Sequence, residues 1–173
     1  MPNYPRTLHF RFTVRDNRAG GGGITYDQTE VEVTDQAGPF EIISPNGNET
    51  LGINETYTVE WEVASTDENI INCQEVNIIL MHNTNGTWQE TVLAQNEQND
   101  GQAQITIPNS EELIGSKNRI KIVPTNNIFL DISDDDFSIT AMNISEISGG
   151  NVKIYPDPNH GVFTLRTENT STN

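Results

Sequence analysis

Cysteines and long apolar runs are the features that this sequence most clearly lacks. Cys73 is the one cysteine, so the chain cannot form an intramolecular disulfide and its fold must be held without one. No stretch approaches the roughly 18 consecutive apolar residues that a membrane-spanning helix needs, and the N-terminal MPNYPRTLHF has no apolar core of a signal peptide. The sequence therefore shows neither a signal peptide nor a membrane anchor, which fits either a cytoplasmic protein or a fragment whose N-terminal signal lies outside this sequence.

Positive charge is also scarce. Nine Lys and Arg residues stand against 25 Asp and Glu residues, which gives a formal net charge of −16 over 173 residues. A charge of this sign repels phosphate backbones and anionic lipid surfaces over about a Debye length, which is roughly 10 Å at 0.1 M salt. Nucleic acid and membrane-surface partners are therefore not expected.

The sequence also lacks the motifs of hydrolytic chemistry. It contains neither the HExxH arrangement of zinc peptidases nor the GxSxG turn that presents a nucleophilic serine. His9, His82 and His160 have no second histidine or cysteine at ligand spacing, so we expect each of them on the surface. Cys73 precedes an apolar strand, where a small buried thiol is commoner than a reactive one. We therefore expect no catalysis by this chain.

What the sequence does contain is strand patterning, beginning with a predicted β-hairpin. Apolar and polar side chains alternate in LHFRFTV (8–14) and in TEVEV (29–33), with the period of two of half-buried strands. The loop between them contains the four glycines Gly20 to Gly23, which supply conformational freedom. Because an isolated two-stranded ribbon is only marginally stable, we expect residues 1–37 to be the last two strands of a truncated β domain.

Residues 38–140 are predicted to form an all-β domain, an immunoglobulin-like β-sandwich. Gly38-Pro39 marks its start, and turn dipeptides such as Asn85-Gly86 separate short strands at near-regular spacing. In TYTVEWEV (56–63) apolar side chains alternate with polar and charged ones, so we expect the face of this strand that carries Trp61 to be buried. Further strands are predicted at 40–43, 75–81, 87–94, 102–107 and 118–123, with a strand pair at 127–132 and 136–140 and one helical turn at 109–115.

Residues 141–150 are linker-like, and the motif VKIYPDPNHGVFTLR follows at 152–166. This motif resembles the start of the type A C-terminal sorting domain that addresses Bacteroidetes proteins to the type IX secretion system, with Asp157 in place of the usual asparagine. The resemblance implies that residues 151–173 are a truncated sorting domain and that the type IX secretion machinery is a partner. The residues on the family pattern are Tyr155, Pro156, Pro158, Gly161, Phe163 and Leu165.

A second resemblance covers roughly residues 8–140. FRFTVRDNRAGGGG, then GPFEIISPNGNETLGINETYTVEWEV and later NIFLDISDDDFSI, are similar to accessory β domains of secreted reprolysin-like zinc metallopeptidases from the same bacteria. These domains lie between the catalytic and sorting domains. The resemblance implies a secreted or cell-surface protein whose chemistry lies before residue 1, with neighbouring domains of the parent chain as partners.

Calcium is the one cofactor that the residues themselves suggest. Hard cations bind carboxylate and carbonyl oxygens from short loops, and LDISDDDF offers Asp131, Asp134, Asp135 and Asp136 within six positions. Asp16 and Asp27 bracket the glycine loop, so the two ends of that loop are a second hypothetical site. Neither stretch has EF-hand spacing, and the alternative interpretation is a solvated acidic face.

Two exposed-ring candidates, Trp88 and Tyr26, support a different hypothesis, a carbohydrate- or matrix-binding module. Sandwich domains bind glycans through aromatic rings that stack on sugar faces. Trp88 follows the Asn85-Gly86 turn at the start of a strand, and it is interpreted either as such a platform or as the second tryptophan of the core, with the core favoured. The leading hypothesis remains a non-catalytic spacer module.

Overall fold

The computed structural model describes residues 4–141, and in this range all regular elements except one are β-strands. The exception is a 3-10 turn at Glu111–Leu113, inside the predicted helical turn at 109–115. Residues 1–3 and 142–173 lie outside the described residues, and with them the sorting motif, His160 and the linker from residue 142 onward. No helix between residues 4 and 141 is long and apolar enough to cross a membrane.

The N-terminal hairpin consists of strands β1 (Arg6–Arg15) and β2 (Ile24–Val33), which pair antiparallel over all ten residues of each. Its loop is shorter than predicted, because ITYD continues the alternation of β2 toward the glycines. Asp16 closes the loop: its N–H donates to the Gly23 carbonyl at 3.3 Å, and its carboxylate accepts from the Arg18 N–H at 3.1 Å. The Gly23 and Arg18 backbone N–H groups lower the pKa of this carboxyl.

The expectation that the hairpin strands are half-buried is wrong for the described residues. Phe10 is 52% exposed and Phe12 is 73% exposed, although both lie on the apolar face of β1. Alternation correctly indicated which side chains share a face, but it carries no information on what covers that face.

The smaller sheet of the next domain has three antiparallel strands in the order β3-β5-β8. They are β3 (Glu41–Ser44), β5 (Thr56–Glu62) and β8 (Gln102–Thr106). Val59 and Trp61 of β5 are buried, whereas Glu60 and Glu62 are exposed, which confirms the prediction from alternation.

The larger sheet contains the remaining strands in the order β4-β11-β9-β6-β7, with β10 also paired to β9. Its strands are β4 (Thr50–Gly52), β6 (Glu75–Thr84), β7 (Thr87–Gln98), β9 (Gly115–Pro124), β10 (Asp131–Ile132) and β11 (Phe137–Thr140). All pairs in it are antiparallel except β4 with β11, which are parallel.

The hydrophobic core lies between these two sheets. Alternate residues of the facing strands supply it, and no buried side-chain nitrogen or oxygen of residues 4–141 lacks a hydrogen-bond partner. The fully buried side chains with the largest volumes are Phe137, Ile78, Leu80, Ile107, Ile120, Ile122, Ile139, Val59 and Val76.

The predicted immunoglobulin-like sandwich is confirmed by this arrangement. The first strand of the domain is split, so that β3 joins the smaller sheet and β4 joins the larger sheet beside the last strand, β11. The following strands then lie in the order of such sandwiches, with β5 in the smaller sheet, β6 and β7 in the larger, β8 in the smaller and β9 in the larger. Strand β4 was not predicted, because its three residues, one of them Gly52, carry too little alternation to be recognised.

The predicted strand pair at 127–132 and 136–140 does not form as a hairpin. Instead, β10 and β11 both pair with β9, and residues 133–136 between them leave the sheet. Strand β9 has ten residues, which is enough to pair with two short strands in succession. Only Asp131 and Ile132 of the first predicted segment are in a strand.

We expect Glu41→Lys to stabilise the smaller sheet. Glu41 lies directly opposite Glu62 in the β3–β5 pair, and both are exposed. Like charges in this position are destabilising, whereas an opposite pair contributes about 0.2–1 kcal/mol. Urea denaturation should show a rise of that size for Glu41→Lys and a smaller rise for Glu41→Gln, which removes only the repulsion. A loss of stability in both variants would contradict this account.

Candidate functional site

The acidic segment 131–136, predicted as a calcium site, lies against the turn formed by residues 45–49. The Asp134 carboxylate accepts from Nδ2 of Asn46 at 3.0 Å, and the Asp134 N–H donates to Oδ1 of Asn46 at 2.6 Å. The Asp135 N–H donates to the backbone carbonyl of Asn46 at 3.1 Å. The side chain and the backbone carbonyl of Asn46 therefore hold Asp134 and Asp135 in place.

Two other carboxylates of the segment also have protein partners. Oδ2 of Asp131 accepts from the Ile42 N–H at 2.7 Å, which connects β10 to the first strand of the opposite sheet. Oδ1 of Asp136 lies 2.6 Å from Nε of Arg119, and that guanidinium also donates to the Ser133 carbonyl at 3.2 Å. Three of the four aspartates thus stabilise the path of their own loop.

Residues 4–141 contain no group of three or more His, Cys, Asp or Glu side chains arranged to hold a metal ion. Calcium binding by this segment stays a prediction. The melting temperature tests this prediction, because millimolar calcium raises it only if the native state binds the ion.

The second hypothetical calcium site, between Asp16 and Asp27, needs a correction. Asp27 belongs to β2 and lies opposite Phe12, whereas Asp16 lies at the loop end of β1. Asp16 follows Phe12 by four positions along the chain, which corresponds to roughly 13 Å along the sheet. The hairpin loop therefore does not bring the two carboxylates together at one ion.

His82 is buried, so the expectation of a surface residue is wrong for it. The side chain is 4% exposed, and it follows Ile78 and Leu80 on the inward face of β6. Its ring nitrogens each lie 3.4 Å from a threonine hydroxyl, Nδ1 from Thr84 and Nε2 from Thr91. The period of two in β6 was sufficient to predict this position. His9 is on the surface as predicted, with Nδ1 2.9 Å from the Glu30 carboxylate.

A buried polar network at one end of the core is centred on Asn99. Its Oδ1 accepts from Nε1 of Trp61 at 2.9 Å, and its Nδ2 donates to the Thr66 hydroxyl and to the Cys73 carbonyl, each at 3.0 Å. Sequence reasoning did not identify this residue, because asparagine in QNEQNDG is typical of an exposed turn.

Cys73 is buried, as predicted, and it is not placed for nucleophilic chemistry. Its side chain is fully buried and its thiol donates to the Glu75 carbonyl at 3.3 Å. Burial raises the pKa of the thiol, which keeps it protonated.

We expect the Cys73 thiol to react with a disulfide reagent at least about 100-fold more slowly in native buffer than in urea, since reaction requires opening of the core. Absorbance of the released thiolate measures this. A Gln104→Cys variant provides the control, because Gln104 is exposed on β8 and should add one fast-reacting thiol. Stoichiometric reaction of Cys73 within seconds in native buffer would contradict the expectation.

Trp88 lies on the outer face of the larger sheet, so the favoured interpretation of it as a core residue is wrong. The side chain is 41% exposed and stands opposite Asn83 in the β6–β7 pair. Its neighbours along the outward face of β7 are Glu90 and the half-exposed Val92. A ring is therefore exposed on a sheet face that also carries amide and carboxylate groups.

Charged groups continue this outer face across the sheet. Nζ of Lys121 lies 2.8 Å from Oε1 of Glu90, and Met81 lies between Glu90 and Arg119 in the strand register. We did not predict this cluster, although Met81, Arg119 and Lys121 each stand next to buried residues in their strands. The signal was the same alternation that identified the core.

Tyr26, the other candidate ring, is 58% exposed on β2. The guanidinium carbon of Arg11 lies 4.5 Å from the centre of its ring, within the range of a cation–π contact. One face of this ring is therefore covered by Arg11 from the neighbouring strand.

No protein-family model matches the chain, and no curated protein matches it significantly.

Proposed function

We propose that this chain is a non-catalytic accessory and spacer module of a secreted or cell-surface protein. In this proposal the parent is a zinc metallopeptidase whose catalytic domain precedes residue 1, and residues 151–173 are the start of its secretion signal. The observation that supports the module role best is the use of polar groups within the sandwich. Polar contacts of the acidic segment, made by Asp131, Asp134 and Asp136, fix the path of its loop. The side chain of Asn99 hydrogen-bonds to Trp61 within the core.

The resemblances stated above support the rest of the proposal. The motif beginning at Tyr155 supports export, and the similarity over residues 8–140 supports a position between a catalytic domain and a sorting domain. A spacer in this position needs a rigid core and held loops rather than reactive groups.

The genomic sequence that flanks this chain tests the proposal directly. An upstream HExxH domain with a signal peptide, together with a completed sorting domain downstream, is the expected result. A stop codon after Asn173 and no open reading frame before Met1 would contradict it and would favour a free-standing binding module.

Export of the native gene product tests the sorting signal separately. Tyr155→Ala and Gly161→Val should each reduce the amount of protein outside the cell, because both positions lie on the family pattern. Thr164→Ala, which lies off the pattern, is the matched control. Equal export of all three variants would contradict the secretion role.

A saccharide-binding module is the second candidate function, and the exposed ring of Trp88 is the observation that favours it. Affinity electrophoresis in gels that contain a panel of polysaccharides would detect such binding. Retardation that Trp88→Ala removes and Tyr26→Ala leaves unchanged would assign the function to the outer face of the larger sheet. If no polysaccharide alters the mobility of the protein, saccharide binding is contradicted and the spacer role is the candidate function that stays.

A further inference from the structure

The two strands of the hairpin carry opposite charges. Strand β1 contains three arginines and no acidic residue, whereas β2 contains three acidic residues and no Lys or Arg. Among residues 4–141, the only ion pair that joins the two strands is His9 with Glu30. The charges are Arg6, Arg11 and Arg15 on β1 and Asp27, Glu30 and Glu32 on β2.

Each hairpin strand pairs with the other strand only, so each leaves one edge free of strand pairing in the described structure. Such an edge presents unpaired backbone N–H and C=O groups and accepts a further strand. The ten paired residues run without a bulge, and neither strand contains proline. Both edges are therefore regular enough for strand addition, and side chains must decide between them.

The side chains identify β2 as an edge strand. Its Asp27 lies opposite Phe12, on the same face as the apolar residues of the hairpin. A charge that points to the apolar face is a device by which natural sheets protect an edge strand from further pairing. Strand β1 has no such charge between Leu8 and Val14, where all residues on the apolar face are hydrophobic. This pattern is typical of an interior strand.

A second copy of the chain is a poor partner for this edge. Two β1 edges related by a two-fold axis would bring arginines together, and two β2 edges would bring carboxylates together. Packing two apolar faces together is also insufficient. A ten-residue, two-stranded face measures roughly 33 Å by 10 Å, so it provides far less than the ~800 Å² per partner of a typical interface.

We propose that the free edge of β1 is a docking edge for an acidic β-strand, supplied by an adjoining domain of the same polypeptide. This source rests on the proposed function, in which further domains precede residue 1. Arg11 and Arg15 lie on the same face of β1, four residues apart, and the incoming strand carries carboxylates at the same spacing. Its apolar residues extend the face of Phe10 and Phe12, which the rest of that domain covers.

The test uses the full chain and two fluorescent ten-residue peptides, TVEVTVEVTV and its lysine counterpart TVKVTVKVTV. Fluorescence anisotropy should show about tenfold tighter binding of the acidic peptide at low salt, because each of two cross-strand charge pairs contributes modestly and is screened by salt. Equal affinity for the two peptides would overturn the proposal.

Substitutions on β1 then locate the site. Arg15→Glu should abolish or reverse the preference for the acidic peptide, and Arg11→Glu combined with Arg15→Glu should reverse it further. Arg18→Glu makes the same change of charge in the loop, outside β1, and should leave the preference intact. A preference that survives in the β1 variants but is lost in Arg18→Glu would also overturn the proposal. Because Arg11 contacts Tyr26, the single Arg15→Glu variant remains informative if the double variant unfolds the hairpin.

Two further results decide the source of the strand. A chain extended with its native upstream sequence should no longer bind the acidic peptide, since its own strand occupies the edge. Continued binding would assign the edge to a separate protein, and concentration-dependent association of the 173-residue chain in sedimentation would assign it to a second copy. Either would overturn the stated source. The peptide titrations do not depend on whether the parent is a metallopeptidase, so the two proposals fail separately.

Discussion

Asn99→Ala is expected to destabilise the sandwich by about 3–5 kcal/mol, because it leaves several buried polar groups without partners at once. The Trp61 indole N–H and the Cys73 carbonyl both bond to the Asn99 side chain and lie where water does not reach. Each buried group left unsatisfied costs about 1–3 kcal/mol. Urea denaturation followed by circular dichroism measures the loss, because this readout does not depend on Trp61.

The matched control for this prediction is Asn109→Ala. Asn109 is exposed, so its replacement should change the free energy of unfolding by no more than about 0.5 kcal/mol. Trp61→Phe should cost less than Asn99→Ala, since it removes the indole donor together with one of the three bonds of the amide. A loss below about 1 kcal/mol for Asn99→Ala would mean that the network contributes little to stability.

The sequence was informative about the fold to the extent that alternation determines it. Trp61 and Val59 are buried in the smaller sheet as their spacing predicts, because a strand that faces one core must alternate. The same rule would have placed His82 inside, but the surface prediction considered metal-ligand spacing and not the strand that carries the residue, and it was wrong.

What the sequence could not supply were the contacts between distant loops. The acidic segment was recognised as unusual, but its partners Asn46 and Arg119 are 88 and 17 residues away from the aspartates they bind. No local pattern encodes such pairs. The exposure of Phe12 was unpredictable for a similar reason, because a periodic strand specifies an apolar face and not the layer that covers it.

The second large effect is expected from Gly47→Ala, which should destabilise the domain by about 3 kcal/mol or more. Gly47 has φ of +136°, a conformation that residues with a side chain rarely adopt. A Cβ at this position would overlap the side chain of Asp135 and approach its Cα to 3.2 Å. The turn at 45–49 would therefore have to move away from the acidic loop, and the bonds between Asn46 and Asp134 would lengthen or break.

Two other glycines separate the backbone strain from the close contact. Gly86 has φ of +87° and open space around it, so Gly86→Ala should cost only the conformational term of about 1–2 kcal/mol. Gly115 has neither a positive φ nor a neighbour within 4 Å, so Gly115→Ala should be neutral or slightly stabilising. If chemical denaturation gives the order Gly47, Gly86, Gly115 from the largest loss to the smallest, the turn and the acidic loop are held by direct contact. Equal losses at Gly47 and Gly86 would show that the contact with Asp135 adds nothing, and the acidic loop would then owe its path to hydrogen bonds alone.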